Sequence, residues 1–154
     1  MRKKTNPNDI TTANLHPKKR VSATGIKRLA QKIMEGEKRQ EKLNIVFVDD
    51  KKMRELNRKF KRKNSSTDVL SFDMRKGGNM GVEPDVFGEV YVNLDRAEEY
   101  AKEYRKSFQE EVNLLVAHGI LHLLGYHHQN KKKSLLMKNK EDRYLNLKKG
   151  NRWA

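Results

Sequence analysis

The run Ala117-His118-Gly119-Ile120-Leu121-His122-Leu123-Leu124-Gly125-Tyr126-His127-His128 constrains this chain more than any other stretch. The chain has five histidines, and all but one fall inside this run. In a helix, His118 and His122 stand at i and i+4, one above the other on a single face. Leu, Val, Ile and Ala surround them, and a buried imidazole needs a polar partner. A shared metal ion supplies one to both rings, as in the helical H-x3-H ligand pair of zinc enzymes. Gly125 then stops the helix, because it tolerates the left-handed geometry of a C-terminal cap. The chain can turn back there and offer His127 or His128 as a third ligand. Three nitrogens and an open fourth position describe a catalytic zinc site. The plainer reading makes these ordinary histidines near a helix end, stabilised by the helix dipole.

Composition narrows both ligands and partners. There is no cysteine, so disulfides and thiolate metal sites are excluded and ligands must be His, Asp, Glu or water. With 35 Lys and Arg against 20 Asp and Glu, the formal net charge is +15. That balance favours a polyanionic partner, nucleic acid before anionic membrane. Its rival is a lysine-rich surface that is merely solvated. Residues 1–154 are expected to form one domain with a sizeable core. No apolar run approaches the ~20 residues of a membrane span. Met1 to Pro7 carries charge without an apolar h-region, so no signal peptide is read there and a cytoplasmic location is expected.

Along the chain, residues 1–20 read as a basic arm or an edge strand, with Asp9 to Leu15 the one strand candidate. Ser22 caps a helix to about Glu35, with Ile26, Leu29, Ala30, Ile33 and Met34 at helical spacing. Leu43 to Val48 is a β-branched and aromatic strand. Asp49 and Asp50 cap a short helix whose inner side carries Met53, Leu56 and Phe60. Lys61 to Ser66 is a basic loop. Strands follow over Asp68–Asp73 and Val86–Val92, separated by a long loop marked by Gly77, Gly78, Gly81 and Pro84. A helix from Asp95 puts Ala97, Ala101 and Tyr104 on one side. Ser107 and Glu110 form a capping box for the histidine-bearing helix, whose later half is apolar nearly all round and hence buried. A last helix, from Ser134 to about Leu147, carries Leu135, Leu136, Tyr144 and Leu145, and 148–154 is a tail. The sum is α+β: three to four strands in one mixed sheet, flanked by helices, with the histidine helix in the core.

A three-histidine zinc site polarises a phosphoryl or carbonyl oxygen and makes water a stronger acid, which suits phosphodiester or amide hydrolysis. Zincin proteases place a glutamate general base directly after the first histidine. Here Gly119 occupies that place and cannot accept a proton. Together with the basic charge, this favours a phosphodiester.

The pattern H-G-x-L-H-L-x-G-Y-x-H resembles the signature of the YbeY family of metal-dependent endoribonucleases. Further matching blocks are Leu56-Asn57-Arg58-Lys59-Phe60, Thr67-Asp68-Val69-Leu70-Ser71-Phe72 and Gly88-Glu89-Val90. The resemblance implies His118, His122 and His128 as ligands of one Zn2+ or another transition metal. It implies cleavage of single-stranded RNA in ribosomal RNA maturation and ribosome quality control. Single-stranded RNA, ribosomal RNA and the ribosome are then the partners, with neither DNA nor membrane expected and the oligomeric state open. Two departures from the family stand out. Lys61 takes the place of an arginine tied to activity, followed by Arg62 where the family has glycine. His127 stands where the family has aspartate, either beside the metal ligands or as an occasional ligand itself. Lys61, Arg62 and His127 are therefore the candidate catalytic residues. The alternatives are another metal-dependent hydrolase, or a non-catalytic ribosome-binding protein clamped by zinc.

Overall fold

The computed structural model describes residues 9–74, 86–127 and 129–146. The expected glycine-bearing loop of residues 77–84, His128 and the tail lie outside them. Among the described residues the order is β1 (Ile10–Asn14), α1 (Ala23–Gly36), β2 (Lys42–Val48), α2 (Asp50–Lys61), β3 (Val69–Asp73), β4 (Val86–Asn93), α3 (Leu94–Glu103), α4 (Phe108–Leu123) and α5 (Lys131–Leu145). The strands form one sheet in the order β1-β2-β4-β3. β2 pairs in parallel with β1 and with β4, while β3 runs antiparallel to β4 at the edge. This is the mixed α+β architecture the sequence leads one to expect.

Alternation in β2 explains the layering. Leu43, Ile45 and Phe47 are buried on the face that holds the main core, together with Ile26, Ile33 and Met34 of α1 and Val112, Leu115 and Ile120 of α4. Val46 and Val48 point the other way. There α2 lays Met53 and Leu56 against Val48, Leu70 and Phe72. Helix starts follow local chemistry. The Ser22 hydroxyl accepts the Gly25 N–H at 3.1 Å and the Asp49 carboxylate accepts that of Lys52 at 2.8 Å. Ser107 and Glu110 close the capping box of α4 at 3.0 and 3.1 Å.

Several expectations need correction. α2 runs through Lys61, so this residue ends a helix instead of opening a loop. Phe60 is 37% exposed because Asn57, four residues after Met53, takes the inner position and donates to the Ser65 carbonyl at 2.8 Å. α5 begins at Lys131 behind an Asn130 cap. Its buried stripe is Met137, Lys138, Glu141 and Tyr144, so Leu135 and Leu136 fall on other faces and are 57% and 50% exposed. Tyr104, just past the end of α3, is 42% exposed.

α4 touches the sheet through Gly119. A Cβ built there would lie 2.5 Å from Val90 Cγ1 and 2.9 Å from Val69 Cγ2, both closer than packing allows. The Ser71 hydroxyl donates to the Gly119 carbonyl at 2.8 Å and pins the helix to β3. The position that holds a glutamate in zincins therefore has no room for any side chain. We predict that Gly119→Ala is destabilising. Overpacking costs about 1–3 kcal/mol, and the better helix propensity of alanine recovers up to ~1 kcal/mol. A net loss of about 1–2 kcal/mol in urea unfolding is expected. Unchanged stability would mean that the contact is softer than the distances indicate.

Candidate metal centre

α4 is buried nearly all round, and this burial fixes its histidines. His118 is 7% exposed, and its Nε2 lies 3.1 Å from Nε2 of His122 one turn later. The ring centroids are 4.6 Å apart with the planes at 80°. Two imidazole nitrogens on one tetrahedral zinc, each at ~2.0–2.1 Å, stand about 3.3 Å apart. The pair thus fits a shared ion with little movement.

A residue that sequence reasoning missed stands behind it. Glu141 of α5 is fully buried, and its Oε1 lies 2.8 Å from Nδ1 of His118. A carboxylate only accepts, so His118 carries its proton on Nδ1 and directs the Nε2 lone pair toward His122. This is the orientation a metal-ligating histidine needs, and carboxylates behind ligating histidines commonly supply it. The available signal was Glu141 on the Met137–Tyr144 stripe of α5, a carboxylate among core positions.

Gly125, at φ 102°, ends the helix in the left-handed region as expected. The Tyr126 N–H bonds the Leu121 carbonyl at 3.0 Å and the Gly125 N–H that of His122 at 3.1 Å, the two bonds of a Schellman cap. Tyr126 then donates its hydroxyl to Glu37, the residue that follows α1, at 2.6 Å. Glu37 also accepts from the Tyr144 hydroxyl and from Lys140 Nζ, the latter at 3.1 Å. Both residues lie on α5, so one carboxylate ties the end of α1 and α5 to the turn. The turn brings His127 to His122, with their Nδ1 atoms 3.3 Å apart. His127 accordingly serves the ring nitrogen of His122 that faces away from His118. Among the described residues, no three His, Asp or Glu side chains gather into a complete ligand set.

The family model described as "Endoribonuclease YbeY" matches residues 11–149. The chain belongs to this family. It is 38% identical to the Endoribonuclease YbeY of Pelotomaculum thermopropionicum over 88% of this chain and 94% of that one. It is 32% identical to that of Syntrophus aciditrophicus over 79% and 76% of the two chains. The solution structure of TM1509 from Thermotoga maritima superposes with a TM-score of 0.58 at 31% identity, covering 88% and 86%. No described helix is long and apolar enough to cross a membrane.

The first departure from the YbeY pattern sits at the end of α2. Lys61 rests its ammonium 5.3 Å over the ring of Phe72 in β3. Arg62 occupies the left-handed region at φ 57°, where the family has glycine. The Phe72 carbonyl and the Leu123 side chain both crowd Gly88, at 2.9 and 2.8 Å from a Cβ built there. Lys61 and the Phe72 ring thus lie together on the α2 side of the sheet.

The Glu37 network gives a pH prediction. Burial pushes this carboxyl up, but hydrogen bonds from Tyr126, Tyr144 and Lys140 outweigh it and hold the group below the usual carboxylate range. A depressed folded pKa adds stability above the unfolded value and loses it as pH falls through the folded one. The stability advantage of wild type over Glu37→Gln should therefore be full at pH 7 and shrink below about pH 4.5. A urea-unfolding gap that stays constant between pH 7 and 3 would contradict it.

Proposed function

We propose that this chain is a zinc-dependent endoribonuclease specific for single-stranded RNA, acting in ribosomal RNA maturation and ribosome quality control in the cytoplasm. The observation that carries the reading is the convergence of the His118 and His122 Nε2 atoms, backed by the buried Glu141. The ion would be held by His118, His122 and, from the family spacing, His128. When bound, zinc supplies a Lewis acid for the phosphoryl group and acidifies water.

The chain's own groups do the rest. Glu141 keeps the His118 proton on Nδ1, and His127 offers Nδ1 as acceptor for the corresponding proton of His122. Both rings then present lone pairs on the same side. Gly119 leaves no space for a zincin-type base, which separates this site from peptide hydrolysis. Lys61 and Arg62 hold the scissile phosphate. Both are exposed cations, and a net charge of +15 draws RNA toward them. An ammonium offers a point charge where the family arginine offers a planar fork.

Two predictions test this. Purified protein should bind one zinc per chain. His118→Ala should abolish that binding, while Glu141→Gln should weaken it about 10- to 100-fold. Competition with a chromophoric chelator measures both, and full zinc affinity in His118→Ala would refute the site. For the reaction, Lys61→Ala should slow cleavage of a single-stranded RNA with zinc content intact, and Lys61→Arg should match or exceed wild type. Rate and bound zinc are read side by side on single-stranded and duplex substrates. Full activity in Lys61→Ala together with Arg62→Ala would remove the basic pair from the mechanism.

A further inference from the structure

We propose that Phe60 is a stacking platform for one base of single-stranded RNA, adjacent to the phosphate held by Lys61 and Arg62. This rests on the RNA reading above. The residues Lys59, Phe60, Lys61, Arg62 and Lys63 are all exposed, so a single aromatic ring stands among four cations with no acidic residue between them. The left-handed turn at Arg62 ends α2 there and points the chain in a new direction around the ring.

A single exposed phenylalanine ordinarily needs no explanation. Phe60 differs in being braced. It meets Phe72 edge-to-face at 5.4 Å and 69°, and Phe72 meets Tyr91 edge-to-face at 5.7 Å and 82°. Three rings thus form a ladder from the end of α2 across β3 to β4, with the outermost 37% exposed. An edge-to-face contact cannot occupy both faces of Phe60. Lys59 Nζ sits 5.2 Å over its ring, and a flexible lysine can swing from there to a phosphate. A ring held rigidly among flexible cations matches the alternation of base and phosphate in a nucleic acid strand. Grooves for single strands are built the same way, from positive charge that tracks the backbone and aromatic rings that stack bases.

The ladder also accounts for strand selection. A base within a duplex is already stacked on both faces and cannot reach Phe60, whereas an unpaired base can. Because every base has a π-face, the subsite is tolerant of sequence.

Fluorescence anisotropy with labelled oligouridylate, and with an abasic oligomer of equal length and charge, tests the platform. Phe60→Ala and Phe60→Leu should weaken oligouridylate binding about 5- to 100-fold, and Phe60→Tyr should retain it. Leucine keeps apolar area without a π-face, so it separates stacking from packing. The salt dependence should stay unchanged in the Phe60 variants and become shallower by about 0.7 in log–log slope in Lys61→Ala. Wild type should prefer oligouridylate to the abasic oligomer, and Phe60→Ala should lose that preference. Equal binding by Phe60→Leu and wild type, or no preference over the abasic oligomer in wild type, overturns the platform alone. A wild-type protein that binds neither oligomer overturns the RNA reading together with it.

Discussion

The depth at which α4 sits on the sheet sets everything around the histidines. Gly119 lets Val90 and Val69 approach the helix backbone directly, and Ser71 fixes the height by bonding the Gly119 carbonyl. At that depth His118 and His122 share a face that meets α5 and the turn after the helix. A larger side chain at 119 would lift the helix and carry both rings with it. The same glycine that removes a possible catalytic base is thus what places the two histidines. Packing and chemistry make a joint demand on this one position.

Two glutamates complete the frame, and their environments separate their tasks. Glu37 has its oxygens filled by two tyrosine hydroxyls and a lysine, and this favours the ionised form. It behaves as a structural clamp. Glu141 is fully buried with one oxygen on His118, and its Oε2 finds no hydrogen-bond donor among the described residues. A buried carboxylate with spare accepting capacity is costly unless positive charge lies nearby. A cation shared by His118 and His122 would supply that charge through the imidazole. An ion bound there would therefore ease the burial of Glu141, and metal binding would then be coupled to the stability of the α4–α5 contact.

Much of this was legible in the sequence because the signals were local. The capping box at Ser107 and Glu110, the alternation in β2, the apolar α4 and the turn at Gly125 each depend on residues a few positions apart. The pairing of His118 with His122 is likewise one turn of helix. What could not be read depends on distance along the chain. Glu141 lies 23 residues from His118, and Glu37 lies 89 from Tyr126 and 107 from Tyr144. No spacing rule connects them, because α1 and α5 meet α4 only through tertiary packing. Phe60 and Leu136 show the opposite failure. Their spacing suited an inner face, but Asn57 takes the inner position at the end of α2, and Leu136 lies off the side of α5 that packs.

The departures from the family at the end of α2 follow from the same geometry. A non-glycine residue in the left-handed region costs roughly 1–2 kcal/mol relative to one that is free of that strain. Arg62 bears that cost where glycine would not, and in return a guanidinium stands at the turn beside Lys61. The adjacent position has lost the arginine fork, and its ammonium settles on Phe72 instead. The two substitutions move the planar cation by one residue and add one positive charge to the pair. The shift also leaves Phe60 flanked by lysines whose flexible stems can yield to a strand of RNA. A strained backbone persists only where the surroundings hold it, and here Asn57 does so: its carbonyl accepts the N–H groups of Arg62 and Lys63, and its side chain ties down Ser65. The basic turn is consequently a shaped surface, fixed from beneath by one buried asparagine.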